Sequence, residues 1–237
     1  MIFDYDPFKD NNLVNIESYI GRLKGFLTMA DLHYTLEKKS VLVFGSALGG
    51  ECFAASLLGA NDVLGLEITD SLITESIRLK NEYLANPKID FLKFDGNYWI
   101  SSKKFDVVIS AHVIEHVSNP RLHLTNLLNT CTSSGLIFVK FPTRFNLKEL
   151  HTGLLSFEYF PKFIRYMMNY TSSKVHLLMG DEDNSNSRIS INSTLNQIST
   201  FFIRRNLVGT EWKILAKHIP AKGFVRLVLV QRGAKGI

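Results

Sequence analysis

The stretch 41–50, with the sequence VLVFGSALGG, constrains the fold more than any other part of the chain. An apolar run over 41–44 ends in a turn of small residues, and a helical pattern over 51–58 follows at once. This order predicts a strand that leads into a tight turn and then a helix. Small residues let the backbone approach a ligand closely, and a helix N-terminus offers unpaired N–H groups.

Glu67 adds a second constraint. It lies 22 positions after Gly45 and ends another apolar run, 62–67. A carboxylate at that place can accept hydrogen bonds from the two vicinal hydroxyls of a ribose. The turn and Glu67 together predict a site for a cofactor that contains a nucleoside.

The turn alone does not identify that cofactor. Gly45-x-Ala47-x-x-Gly50 fits the dinucleotide pattern G-x-G-x-x-G, and Gly45-x-Ala47-x-Gly49 fits the shorter pattern G-x-G-x-G. Ala47 weakens both matches, because its methyl group stands where the backbone should come closest to the ligand. A plain strand-to-helix turn, with small residues for packing only, also fits this segment.

Composition indicates an ordinary globular chain. With 237 residues, 46% hydrophobic and 21% charged, it can form one α/β domain with a large core. The net charge of +5 permits an anionic substrate but does not require nucleic acid. We expect a cytoplasmic protein, because there is no apolar run of about 18 residues and the first residues, MIFDYD, do not resemble a signal peptide.

The cysteine and histidine patterns predict no metal site. Cys52 and Cys131 fall in apolar helical patterns, which is typical of buried thiols in a reducing compartment. His112 and His116 have the i, i+4 spacing of helical zinc ligands, but Glu115 is not at the position that a metalloprotease motif requires.

Alternating patterns predict a doubly wound α/β fold. A helical extension occupies about 10–38. Apolar runs then predict strands over 41–44, 63–66, 89–94, 105–110 and 135–141, with helices over 51–58, 70–84 and 119–131. Such alternation favours a parallel sheet with right-handed crossovers.

The last part of the chain departs from this alternation. Runs over 212–219 and 224–231 are separated by only four residues, which permits an antiparallel hairpin but not a parallel crossover. The aromatic-rich segment 142–205 follows the fifth strand, so we expect a cap beside the ligand-binding edge of the sheet. The predicted single domain, 1–237, thus has four parts: a helical extension (1–38), a cofactor-binding core (39–141), a substrate-side cap (142–205) and a C-terminal hairpin (206–237).

Residues 105–120, FDVVISAHVIEHVSNP, resemble the fourth-strand signature of class I S-adenosylmethionine-dependent methyltransferases, in the type 11-like branch with H-V-L-E-H-V. The glycine turn, Glu67 and Asp95 occur in the order typical of that family, and the resemblance covers about 38–141. It implies a seven-stranded Rossmann-like sheet with an antiparallel C-terminal hairpin. It also implies S-adenosylmethionine as cofactor and S-adenosylhomocysteine as product.

The resemblance further implies cofactor-binding roles for six residues: Gly45, Ala47 and Gly49 beneath the methionine and ribose, Glu67 at the ribose hydroxyls, Asp95 at the adenine amino group, and His112 at the methionine end or the substrate. One position departs from the family. Val43 stands where the first strand usually carries an acidic residue.

A second resemblance lies beyond the fifth strand. The segments 141–146 (FPTRFN) and 148–154 (KELHTGL) are similar to methyltransferases of surface-polysaccharide and related glycan pathways. That similarity implies that Glu149 and His151 lie over the methyl-transfer site. Histidine is the side chain best suited to remove a hydroxyl proton near neutral pH. His151 is the first candidate for the catalytic base and His112 the second.

The sequence therefore predicts S-adenosylmethionine-dependent methyl transfer to an oxygen of a small molecule or glycan. Two other classes stay open. A non-catalytic binding protein of the same fold would explain Val43 and Ala47. An NAD-dependent oxidoreductase or epimerase should show a Tyr-x-x-x-Lys or comparable group, and none stands out. Nucleic acid is not the expected acceptor, because no Asn-Pro-Pro-Tyr-like motif follows the fourth strand.

Overall fold

The structure is a computed structural model. It describes residues 15–30, 35–83, 88–96, 98–99, 101–142, 198, 200–218 and 224–231. Predictions that fall elsewhere, including His151, Glu149 and nearly all of the 142–205 cap, lie outside the described residues.

Five helices and seven strands are described. In chain order they are α1 (Ile16–Met29), β1 (Ser40–Phe44), α2 (Gly50–Leu57), β2 (Asp62–Glu67), α3 (Asp70–Tyr83), β3 (Ile89–Lys93), β4 (Phe105–Ala111), α4 (Pro120–Thr130), β5 (Cys131–Pro142), α5 (Thr200–Leu207), β6 (Trp212–His218) and β7 (Phe224–Gln231).

The strands form one sheet in the order β3-β2-β1-β4-β5-β7-β6. Strands β1 to β5 are mutually parallel, which confirms the predicted α/β core. Strand β7 runs antiparallel to both β5 and β6. The strand order reverses between β1 and β4. Open α/β sheets bind ligands at such a reversal, outside the carboxyl ends of the strands.

Both faces of the sheet are covered, and β1 shows why its sequence is apolar throughout. Val41 and Val43 pack into a cluster that includes residues of α1, α2 and α3. Leu42 and Phe44 pack into a second cluster with residues of α4 and α5. A strand buried on both faces reads as a continuous apolar run rather than an alternating one.

Helix α1 lies within the predicted 10–38 extension and is anchored to the sheet. Asn15 caps it by accepting a hydrogen bond from Ser18 N at 3.0 Å. Phe26, which is fully buried, stacks on Phe138 of β5 with ring centroids 4.8 Å apart. Helix α1 is therefore part of the core on the side of the sheet that also carries α2.

Strand β5 begins earlier than the predicted 135, directly after α4 ends. The pairing of β5 with β4 shifts register at this point: Phe105 pairs with Cys131, but Val107 pairs with Leu136. The extra residues form an irregular segment at the start of the strand.

The two cysteines are free and buried, as predicted. Burial raises the pKa of Cys52 well above its usual value and raises the pKa of Cys131 to about 12. Both thiols therefore stay protonated near neutral pH. Among the described residues, no helix is long and apolar enough to cross a membrane.

Candidate active site

The turn after β1 adopts a left-handed backbone at three of its five residues. Gly45, Ala47 and Gly49 have φ values of 64°, 47° and 85°. Glycine adopts such values without cost, whereas a Cβ atom costs roughly 1–2 kcal/mol per residue. Ala47 is therefore strained at a position whose backbone calls for glycine.

Packing also requires two of these glycines. A Cβ atom on Gly45 would lie 2.5 Å from Val113 Cγ2, and one on Gly49 would lie 2.8 Å from the ring of Phe91. A Cβ on Gly50, the first residue of α2, would lie 2.5 Å from the ring of Tyr19. Small residues in this turn thus serve packing as well as conformation.

Glu67 ends β2 and ties the turn to that strand. Its Oε2 accepts a hydrogen bond from Ala47 N at 2.9 Å. Its Oε1 accepts from Ile68 N at 2.8 Å and from Thr69 N at 3.1 Å. The residue is only 7% exposed. Since a carboxylate has about four acceptor sites, Glu67 can still accept a further hydrogen bond.

Hydrogen bonds with α3 and β2 also hold the turn in place. Ser76 Oγ of α3 lies 2.9 Å from Ala47 O and 2.8 Å from Leu72 O, so its single proton serves two carbonyls. Ser46 N donates to Leu66 O at 3.0 Å. The backbone around Ala47 is therefore fixed by contacts with both β2 and α3.

Asp95 lies beside Glu67, at the end of the neighbouring strand. Phe94 N donates to Glu67 O at 2.9 Å, which places the residue after it at the same edge of the sheet. The Asp95 side chain is exposed and its Oδ1 accepts from Tyr98 N at 3.2 Å. Its carboxylate is thus accessible from outside.

Ile68 is a feature that the sequence argument missed. This apolar residue directly follows Glu67 and is 58% exposed. Its Cγ2 lies 3.6 Å from where a Cβ of Gly96 would stand, so it borders the residues that follow β3. The sequence signal that could have identified Ile68 is its apolar side chain directly after the carboxylate, just past the end of a strand.

His112 follows β4 at the same edge of the sheet. Its φ is 60°, and its backbone N–H donates to Lys140 O at 2.8 Å. The side chain is 27% exposed, and Nδ1 lies 3.4 Å from Glu115 Oε1. A non-glycine residue held at positive φ is uncommon and often marks a functional site.

Glu115 is the most deeply buried acidic residue near this edge, at 1% exposure. Neither of its carboxylate oxygens accepts a hydrogen bond from the described residues. The imidazoles of His112 and His116 approach Oε1 to 3.4 and 4.0 Å. A buried carboxylate without hydrogen bonds is costly, and positive charge that His112 gains when it takes up a proton would compensate it.

Helix α1 brings Arg22 and Tyr19 next to the turn. Neither residue was predicted from the sequence to lie there. The Arg22 guanidinium pairs with the carboxylate of Glu51, the second residue of α2, and lies 4.7 Å from the centre of the Tyr19 ring. Burial raises the pKa of Glu51, and the charges of Arg22 and His112 lower it in part. Burial and the charge of Glu51 raise the pKa of Tyr19.

The six residues predicted to bind the cofactor are thus gathered at one edge of the sheet, whereas His151 lies outside the described residues. The turn with Gly45, Ala47 and Gly49 follows β1, and Glu67 is the last residue of β2. Asp95 lies just after β3 and His112 just after β4. This is the carboxyl edge, next to the reversal between β1 and β4. Among the described residues, no group of three or more His, Cys, Asp or Glu side chains could hold a metal ion.

A nucleoside fits this arrangement. Ser46 in the turn is buried, and its hydroxyl has no hydrogen-bond partner among the described residues. The turn therefore has hydrogen-bonding capacity that the described chain does not use. Glu67 retains acceptor capacity, and Ile68 offers an exposed apolar surface beside it.

Residues 42–139 of the chain match the family model of a methyltransferase domain. That range contains the turn, Glu67, Asp95 and His112. In sequence, the chain is 28% identical over 145 residues to the mitochondrial ubiquinone biosynthesis O-methyltransferase of Dictyostelium discoideum. The match covers 56% of this chain and 45% of that relative, so the chain matches less than half of the relative's length.

Solved structures share the fold at low sequence identity. One is magnesium protoporphyrin IX methyltransferase from Synechocystis PCC 6803 with bound S-adenosylhomocysteine, with a TM-score of 0.59 and 15% identity over 94% of this chain and 86% of that one. Another is the glycopeptide N-methyltransferase MtfA, with a TM-score of 0.59 and 13% identity over 90% of both chains. These similarities concern the fold alone, which is an α/β Rossmann-like methyltransferase fold.

Proposed function

We propose that this chain, which matches the model of a methyltransferase domain over residues 42–139, catalyses S-adenosylmethionine-dependent methyl transfer to an oxygen of a small molecule or glycan. The observation that carries the proposal is the hydrogen bond between Ala47 N and Glu67 Oε2. It holds a glycine-type turn and an acidic residue together at the carboxyl edge of the sheet, beside the strand reversal where such folds bind ligands.

Three groups would hold the cofactor. The turn 45–49 would pass beneath its methionine and ribose, Glu67 would accept from the ribose hydroxyls, and Asp95 would accept from the adenine amino group. Ile68 would pack against the base, because its exposed apolar surface lies between Glu67 and Gly96. The bound cofactor supplies a methyl group on a positively charged sulfur.

An oxygen acceptor is supported by two arguments. The sequence relative from Dictyostelium is named an O-methyltransferase. A hydroxyl also needs a base, and His112 lies at the carboxyl edge with Glu115 on its Nδ1 side. His112 Nε2 would then accept the proton of the acceptor hydroxyl, and the buried charge of Glu115 would stabilise the imidazolium. Base catalysis of this kind contributes about 10²–10⁴-fold.

The fold itself does not select the acceptor. The structural relatives include a glycopeptide N-methyltransferase and a porphyrin methyltransferase, whose names specify different acceptors. The glycan proposal rests on the 141–154 resemblance. His151 in that segment is the alternative base.

The first test is ligand-dependent thermal unfolding with S-adenosylmethionine, S-adenosylhomocysteine and NAD. A ligand at 100 times its dissociation constant adds about 2.7 kcal/mol, which raises Tm by roughly 5–10 °C in a chain of this size. We expect a shift with both S-adenosyl compounds and none with NAD. A shift with NAD alone would indicate the oxidoreductase class instead.

The acceptor is then found by transfer of a labelled methyl group to a panel of phenols, sugars and oligosaccharides, with amines as the comparison. Product formed from hydroxyl compounds supports the proposal, and product formed from amines alone refutes the oxygen acceptor. Binding of S-adenosylhomocysteine without transfer to any compound in the panel would favour the non-catalytic binding protein.

A further inference from the structure

The methionine part of S-adenosylmethionine carries an ammonium group, which needs an anionic partner when it is bound in a partly dry site. Three described carboxylates border the turn and the end of β4: Glu67, Glu115 and Glu51. Glu67 already accepts three backbone hydrogen bonds at the ribose end. Glu115 lies behind His112 and is almost completely buried. Glu51 is the remaining carboxylate.

Glu51 is in the right place for this role. It is the second residue of α2 and so directly follows the turn. The Tyr19 ring covers the backbone of Gly50 next to it. His112 follows β4 at the same edge of the sheet, and positive charge on its imidazole lowers the pKa of Glu51. Glu51 therefore lies beside the reversal between β1 and β4.

The energetics also indicate that Glu51 is not merely half of a structural ion pair. The residue is only 7% exposed, and burial raises the pKa of Glu51 more than Arg22 lowers it. Burial thus favours the protonated form of Glu51, whereas a cation beside the carboxylate favours the ionised form. A buried pair of this kind contributes little to stability compared with apolar side chains. A second cation beside the carboxylate would compensate the remaining cost.

We propose that Glu51, oriented by Arg22, binds the ammonium group of the methionine part of S-adenosylmethionine. This inference rests on the proposed function, since it assigns a residue to the same cofactor. Arg22 acts as a positioning residue, because it fixes the carboxylate from the α1 side.

The test compares two ligands that differ only at the inferred contact region. S-adenosylhomocysteine carries the amino-acid group, whereas 5′-methylthioadenosine keeps the adenosine and the sulfur but lacks the ammonium and the carboxylate. Calorimetric titration gives both dissociation constants for the wild-type protein and for Glu51→Gln. We expect E51Q to weaken S-adenosylhomocysteine about 10- to 100-fold, the range for a hydrogen bond to a charged group. Binding of methylthioadenosine should change less than about twofold.

The matched control is Glu75→Gln, which removes the same charge from a partly exposed ion pair with Arg78 on α3. E75Q should leave both ligands unaffected. If E51Q does not fold, the double variant R22Q/E51Q removes both charges of the pair and should show the same selective loss.

The outcomes separate the two proposals. A wild-type protein that binds neither ligand would refute the proposed function and this inference with it. Wild-type binding of both ligands, with equal loss or no loss for the two ligands in E51Q, would refute the role of Glu51 alone. Only a selective loss of S-adenosylhomocysteine supports it.

Discussion

Ala47 N donates a hydrogen bond to Glu67 Oε2 over 2.9 Å, and Ala47 itself is held at a φ of 47°. The residue of the turn that departs from glycine is thus fixed by the carboxylate that we assign to the ribose. Glu67 has two functions in this arrangement: it orders the turn, and it keeps acceptor capacity for a ligand. Loss of Glu67 should therefore affect stability and binding together.

Glu67→Gln tests this connection. An amide retains one acceptor oxygen but turns an NH2 donor toward backbone N–H groups, so at least one buried hydrogen bond is lost. We expect the free energy of unfolding to fall by about 1–3 kcal/mol, and S-adenosylhomocysteine to bind at least about tenfold more weakly. Urea unfolding and calorimetric titration measure the two effects. Wild-type stability in E67Q would contradict a stabilising role for the hydrogen bonds that Glu67 accepts.

Ala47→Gly should stabilise the protein. Relief of the left-handed strain contributes roughly 1–2 kcal/mol, and the greater freedom of glycine in the unfolded chain offsets about 0.4–1 kcal/mol. The net gain of up to about 1.6 kcal/mol corresponds to a Tm increase of up to about 6 °C. Affinity for S-adenosylhomocysteine should also rise, because the methyl group no longer limits the approach of the ligand.

Ala54→Gly is the matched control for that substitution. Ala54 lies inside α2, where glycine costs about 0.5–1 kcal/mol, so the same change should lower Tm there. A decrease of Tm in both variants would contradict the strain at Ala47.

His112→Asn tests the proposed base. Asparagine tolerates positive φ, so the backbone should be retained while the base is lost. We expect kcat to fall about 10²–10⁴-fold with little change in the affinity for S-adenosylhomocysteine. Lys38→Asn is the control, since Lys38 has nearly the same φ, 61°, at an exposed position before β1. A loss of activity in His151→Asn but not in H112N would assign the base to His151.

The sequence predicted the parallel core because its strands are buried on both faces. The run 41–44 is apolar throughout and is followed by a turn and a helix, which predicted a buried parallel strand there. The positions of Glu67, Asp95 and His112 at one edge follow from the same reasoning, since each of them ends or follows a parallel strand. Local pattern and overall topology agree over this part of the chain.

Contacts between distant segments were not predictable in this way. Arg22 and Glu51 are 29 residues apart, and no periodicity in the sequence relates α1 to the first turn of α2. The burial of Glu115 beneath His112 likewise depends on how the loop after β4 folds, which residue spacing does not determine. Sequence reasoning thus located the carboxyl edge, but it did not find the charges that surround its ligand site.

His123 gives a prediction for the dependence of stability on pH. This α4 residue is almost fully buried, and its Nε2 lies 2.9 Å from Ser110 Oγ of β4. Burial lowers the pKa of His123 to about 4, from about 6.5 in an unfolded chain. As the pH falls from 6.5 to 4, the unfolded state binds a proton that the native state does not. Stability attributable to the neutral imidazole is therefore complete above pH 6.5 and decreases by about 3 kcal/mol by pH 4.

Urea unfolding at several pH values between 7 and 4, for the wild-type protein and for His123→Gln, measures this contribution. The difference in unfolding free energy between the two proteins should change in favour of H123Q as the pH falls, because glutamine does not titrate. His116→Gln, which changes a more exposed histidine after β4, should keep the wild-type dependence between pH 6.5 and 4. Parallel curves for the wild-type protein and H123Q would mean that His123 is protonated equally in the native and unfolded states, which contradicts its burial as a neutral group.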